Sequence, residues 1–157
     1  MAAYRIERMG LHEIGAVVAM WEAFETERGF VPTDAQAGAF GEVMLEVATP
    51  GSLSAVFVAL IGKKPVGFLW ARYCETPYGR YPRVLLGDAF YVRPRYRHHG
   101  GMALAMYEAS RDLATALKAV PVMECRLGDE GLYTKRGFVP VSVTLMLAAD
   151  APTPKEG

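Results

Sequence analysis

The chain has 157 residues, 52% hydrophobic and 22% charged, which suits one soluble globular domain with a real core. Lysine plus arginine equals aspartate plus glutamate at 17 each, so no global field favours nucleic acid or an acidic membrane, and any basic site must be local. No apolar run approaches the roughly 20 residues that span a bilayer, MAAYRIERMG holds no signal-peptide core, and Cys74 and Cys125 are too isolated for a disulfide framework or a zinc site; reduced thiols in a cytoplasmic setting are expected.

Alternation in YRIERM predicts a first strand over Tyr4 to Met9. A helix follows, with Ile14, Val17, Val18, Trp21 and Phe24 on one face and Gly29 as its stop. Thr33 and Gln36 have the spacing of a capping box at the start of a second helix, whose inner face would be Phe40, Val43, Met44 and Val47. SAVFVALIGKKPVGFLWARY predicts two strands around a Gly-Lys-Lys turn. The unbroken apolar character of AVFVALI suggests a central strand, and Gly67 marks a bulge or a close backbone approach. After the breaker-rich loop CETPYGRYP, RVLLGDAFYV is the next strand. MALAMYEASRDLATALK predicts a helix facing inward through Ala103, Met106, Ser110, Leu113 and Leu117. VPVMECRL reads as a strand, EGLYTKR as a short helix and VPVSVTLMLA as the last strand or strand pair. One domain over residues 1–149 with a flexible tail over 150–157 is expected. Strands alternating with helices after an early helix pair imply an α/β (α+β) sandwich with helices on both faces of a sheet.

The stretch YVRPRYRHHGGMALAMYEA gathers Arg93, Arg95, Arg97, His98 and His99 just before a helix N-terminus. First-turn N–H groups have no intrahelical partner, and the helix dipole adds positive character there. Gly100 and Gly101 remove side chains, so an anion can reach the backbone, and the arginines add charge-assisted hydrogen bonds. The pattern describes a phosphate site, beside two plainer readings: a solvated basic loop, or a nucleic-acid patch, which the neutral total disfavours. His98 and His99 are neighbours expected to point apart, a poor metal pair, and no metal is expected.

VRPRYRHHGGMAL resembles the acetyl-CoA-binding motif of the GCN5-related N-acetyltransferases. Val92 and Pro94 match its Val-x-Pro start, Arg97 and Gly100 its next two fixed positions, and Met102 stands where the family prefers Gly or Ala. A register using His98, Gly101 and Ala103 would break the spacing to Val92. LYTKRGF is similar to the family's Tyr-x-x-x-Gly-Phe signature through Tyr133, Gly137 and Phe138, with Arg126 in place of the usual upstream asparagine. The hairpin VALIGKKPVGFLWA resembles the family's paired second and third strands, and the order of elements agrees over about residues 4 to 148.

The resemblance implies a mixed, mostly antiparallel central sheet flanked by helices, with a V-shaped splay between the fourth and fifth strands. It implies an acetyl-CoA-dependent N-acetyltransferase whose pantetheine arm bonds the edge of Phe90, Tyr91 and Val92. The pyrophosphate would lie in the loop of Arg97, His98, His99, Gly100, Gly101 and Met102. Tyr133 is the implied general acid for the leaving thiolate. Asp88 is a candidate base, on a strand face expected to hold Leu86, Phe90 and Val92, with Glu25, Glu27 and Glu75 as rivals. The acceptor is a primary amine of a small molecule or a protein, and Trp21, Phe24, Phe30, Tyr73, Tyr78 and Tyr81 with these acids would suit a cation. Acetyl-CoA is the only cofactor implied; no nucleic acid or membrane partner is expected, and the family's strand edges leave homodimerisation open. A non-catalytic acyl-CoA sensor of the same fold is the main alternative.

Overall fold

The computed structural model describes residues 3–75, 81–99 and 101–123, and these lie within one unit, Met1–Glu124. Its elements are β1 (Tyr4–Arg8), α1 (Ile14–Glu27), α2 (Asp34–Ala48), β2 (Ala55–Ile61), β3 (Lys64–Glu75), β4 (Arg83–Val92), α3 (Met102–Ala116) and β5 (Val120–Met123). The expected short helix at EGLYTKR and the last strand lie outside the described residues.

The strands form one sheet in the order β1-β2-β3-β4-β5. The first three pairings are antiparallel and β4 with β5 is parallel, which is the expected mixed, mostly antiparallel sheet. β4 pairs with β5 from Val84↔Val120 to Gly87↔Met123, while against β3 it continues to Val92. Among the described residues, Ala89 to Val92 therefore pair on one side only, as a parting of the fourth and fifth strands requires.

Both sheet faces are covered. Val17 and Met20 of α1 and Phe40, Met44 and Val47 of α2 pack on Val56, Val58, Leu60, Phe68, Ala89 and Tyr91. Met102, Met106 and Ala114 of α3 pack on Phe57, Leu69, Ala71, Leu85 and Val92. β2 lies between β1 and β3 and is buried on both faces, so its side chains are apolar throughout and carry no alternation.

Local signals set the helix ends. The Thr33 hydroxyl accepts from the Gln36 N–H, and the Gln36 side chain accepts from the Thr33 N–H, so the predicted capping box forms. α1 ends at Glu27, and Gly29 follows with φ of 87°. Two expectations of facing shift by one position. Val43 is exposed on α2, and the inner stripe of α3 begins at Met102, leaving Ala103 exposed.

Candidate active site

Two bulges shape the strands that carry the candidate residues. In β3 the register against β2 shifts between Ala59↔Gly67 and Leu60↔Pro65, leaving Val66 extra. A Cβ on Gly67 would stand 2.9 Å from the Tyr91 carbonyl oxygen, so β3 and β4 approach there as closely as glycine allows. In β4, Ala89 pairs with Trp70 and Gly87 with Ala71, so Asp88 has no opposite residue. An extra residue reverses which face the following side chains take. Leu85 before it and Phe90 and Val92 after it all face α3, while Ala89 and Tyr91 face α1 and α2.

The bulge corrects the expected placing of Asp88. It does not share a face with Phe90 and Val92; its carboxylate meets the guanidinium of Arg72, which projects opposite to Ala71 and Tyr73. Arg72 Nε donates to Asp88 Oδ2, and Arg72 Nη2 donates to Oδ1 at 3.2 Å. The Asp88 side chain is 14% exposed. Two-point contact with a planar guanidinium fixes a carboxylate in orientation as well as position. The rival acids are also engaged: Glu75 accepts from the Tyr73 hydroxyl at 3.0 Å, and Glu25 pairs with Arg28 at 3.4 Å. Burial first, and then that Glu75 bond, push the Tyr73 phenol above its ordinary pKa.

At the far end of β4 the chain turns through Pro94–Tyr96 into α3. Gly101 caps α3 with φ of 88°, and a Cβ there would meet the Tyr4 hydroxyl at 2.8 Å. Among the described residues no side chain caps the N-terminus of this helix. Its first helical bond is donated by the Ala105 N–H to the Gly101 carbonyl, so the N–H groups of Met102, Ala103 and Leu104 are the orphan donors of the first turn. Met102 departs from the small residue the motif favours, yet its side chain is 1% exposed and packs beneath α3, so it leaves the outer side of the turn clear.

The basic cluster divides its work. Arg93 Nε is buried with no hydrogen-bond partner among the described residues. Arg95 stacks over the Tyr96 ring at 4.6 Å. Arg97 Nε donates to the Val92 carbonyl at 2.8 Å, and its Nη2 donates to Glu27 Oε2 at 2.5 Å. The other oxygen of Glu27 accepts from the Tyr91 hydroxyl at 3.1 Å. Burial first, then this hydrogen bond, push the Tyr91 phenol above its ordinary pKa. His98 and His99 do not diverge as expected; consecutive turn positions bring their rings into a stack 5.1 Å apart. The His99 N–H is spent on the Tyr96 carbonyl.

The aromatic residues expected around an acceptor are partly spent on packing. Trp21 stacks on Phe40 at 4.5 Å, and Phe24 lies edge-on to Tyr91 with the Arg28 guanidinium 5.0 Å from its ring. Phe30 is exposed. Tyr78, Gly100 and Tyr133 lie outside the described residues. Sequence reasoning missed Arg72 and Tyr4, whose relevance arises only from cross-strand and sheet-to-helix contact. Among the described residues no cluster of three metal-binding side chains occurs, and no helix is long and apolar enough to cross a membrane.

An anion fits the strand end on chemical grounds. It would meet the first-turn N–H groups that no side chain caps among the described residues, beside a left-handed glycine.

Comparison with known proteins agrees. The model of the acetyltransferase (GNAT) family matches residues 17–138. A predicted acetyltransferase from Clostridium acetobutylicum, solved with acetyl-CoA, superposes with a TM-score of 0.78 at 14% identity over 93% of this chain and 96% of that one. An aminoglycoside N-acetyltransferase solved with CoA gives 0.75 at 15% identity over 96% and 97%. A glucosamine-6-phosphate N-acetyltransferase from Arabidopsis thaliana gives 0.74 at 12% identity over 94% and 99%. No curated protein matches the sequence.

Proposed function

Because the chain belongs to the GNAT acetyltransferase family, we propose that it transfers the acetyl group of acetyl-CoA to a primary amine of a small molecule or a protein. The feature that supports this most directly is the end of β4, where a strand edge left open by β5 among the described residues runs into an uncapped helix N-terminus. The backbone of Phe90, Tyr91 and Val92 offers that edge to a pantetheine arm. The loop from Arg97 through His98, His99, Gly100 and Gly101 to Met102 receives the pyrophosphate. When bound, acetyl-CoA supplies the thioester carbonyl that the amine attacks.

The chain's own groups manage the protons. An alkylammonium, with a pKa near 10, must lose a proton before it can attack. Asp88 is the assigned base, acting through a water. A carboxylate has about four lone-pair sites and Arg72 occupies two, which leaves acceptor capacity for that water. Tyr133 is the assigned acid for the thiolate, by its place in the Tyr-x-x-x-Gly-Phe pattern.

Acetyl-CoA should raise the melting temperature of the wild-type protein, since a ligand of the native state alone stabilises it by mass action. Gly100→Asp should abolish that shift. A panel of amines, followed by free-thiol release, should reveal the acceptor, and Tyr133→Phe should then lower turnover by about one to three powers of ten. Binding without turnover on any amine would select the sensor, and no binding would remove the acetyltransferase reading.

A further inference from the structure

Glu27 belongs to no motif. It is the last residue of α1, yet both of its oxygens accept hydrogen bonds from the far end of β4 and the loop beyond it. The Arg97 guanidinium is held on one side by the Val92 carbonyl and on the other by Glu27, and it stands over the Tyr91 ring at 5.4 Å. These contacts fix the direction in which the chain leaves β4. The loop they hold lies just before the first turn of α3 in the chain. Arg97 thus occupies a motif position while its hydrogen bonds, among the described residues, go to protein.

We propose that Glu27 is a positioning residue for the cofactor loop. It fastens Arg97, and through it the loop, to the C-terminal end of α1. Arg97 serves acetyl-CoA by holding the loop in shape, with its charge directed to Glu27. Glu27, one of the rival acids, then has a positioning role in which each oxygen accepts one bond, from the loop and from Tyr91. Helix α1 and the cofactor loop become one hydrogen-bonded unit. This inference rests on the acetyl-CoA reading, deepening it at the same site.

The test uses five full-length proteins: wild type, Glu27→Gln, Arg97→Gln, the double Gln variant, and the exchange Glu27→Arg with Arg97→Glu. Acetyl-CoA affinity is measured by calorimetry at a temperature where all five are folded, and melting is recorded without ligand. Each single Gln variant should weaken acetyl-CoA binding about two- to fivefold, the scale of an exposed ion pair. The double variant should bind no worse than Arg97→Gln, because both changes remove one contact. The exchange should bind acetyl-CoA better than Arg97→Gln without reaching wild type, because it restores the ion pair but not the bonds to the Val92 carbonyl and from the Tyr91 hydroxyl.

A direct phosphate contact by Arg97 predicts the opposite. Glu27→Gln would then tighten acetyl-CoA by removing a competing anion, and the exchange, which puts a carboxylate in the loop, would bind worse than Arg97→Gln. Either result overturns the proposal. So does a merely structural role, in which the single variants melt lower while affinity is unchanged. Failure of wild type to bind acetyl-CoA would sink the functional reading and this inference with it, whereas wild-type binding with any of the contrary patterns sinks the inference alone.

Discussion

Arg72–Asp88 and Arg97–Glu27 are both arginine–carboxylate pairs beside β4, but they are made differently. The first joins neighbouring strands through two hydrogen bonds, and its carboxylate is 14% exposed. The second joins a loop to a helix end through one hydrogen bond, with side chains 47% and 40% exposed. Water and salt screen the second pair, which puts it at about 0–1 kcal/mol. Removing Arg72 would leave a mostly buried carboxylate without its bidentate partner, which costs about 1–3 kcal/mol. The bulge supplies a fixed acid, and the loop supplies a weak tether whose value lies in geometry. The proposed function, which asks for one proton acceptor held still and for room for a large cofactor, would use that division.

The largest expected difference is in turnover. Asp88→Asn should lower kcat/KM by about a hundredfold or more at neutral pH, the range for losing a general base. The loss should shrink toward pH 10, where the amine deprotonates itself. Glu27→Gln should cost about fivefold or less. Equal losses in a thiol-release assay, or a pH-independent loss for Asp88→Asn, would break the contrast between fixed acid and tether.

Stability separates the two pairs next. Arg72→Gln should destabilise by about 1–3 kcal/mol and Arg97→Gln by less than about 1 kcal/mol. Added salt should shrink the second effect more than the first. Denaturant titrations of both variants with and without 0.5 M salt measure this, and an Arg97 variant as unstable as the Arg72 variant would reverse the assignment.

Gly101→Ala sharpens the loop side of the comparison. A residue with a Cβ at φ of 88° is strained by about 1–2 kcal/mol, and here the Cβ would also press on the Tyr4 hydroxyl. Melting should fall by roughly 2–8 °C. Tyr4→Phe in the same chain should recover part of that fall, because it removes the atom met; no recovery would mean that backbone strain accounts for all of it.

The smallest effect is alkaline. The Tyr91 phenol is raised in the folded state by burial and by its bond to Glu27. A raised folded pKa means that the native state holds the proton more tightly than the unfolded chain. The associated stability is therefore complete below about pH 10, the unfolded value, and is lost as pH rises through the folded value. Tyr91→Phe should flatten the decline of melting temperature above pH 10. A decline as steep as wild type would assign it to Tyr73 and other groups.

Much of this site is legible in the chain, because the signals are local. The capping box at Thr33 and Gln36 needs only three residues of separation, the run RVLLGDAFYV coincides with β4, and the basic cluster abuts α3 as the glycines suggest. Composition and periodicity likewise determine that the sheet is covered on both faces, because the fully apolar β2 admits no exposed side.

Tertiary structure decided what depends on register and distance. Alternation along GDAFYV places Asp88 with Phe90, and only the pairing with β3 reveals the extra residue that turns it toward Arg72. The motif names Arg97, but its partner lies 70 residues earlier, on a helix that reads as an ordinary amphipathic segment. Met102 departs from the motif in sequence, and only the phase of α3 against the sheet sends its side chain into the core. A chain specifies its local hydrogen bonds through nearby residues, while cross-strand register and helix phase are settled by packing the whole core at once.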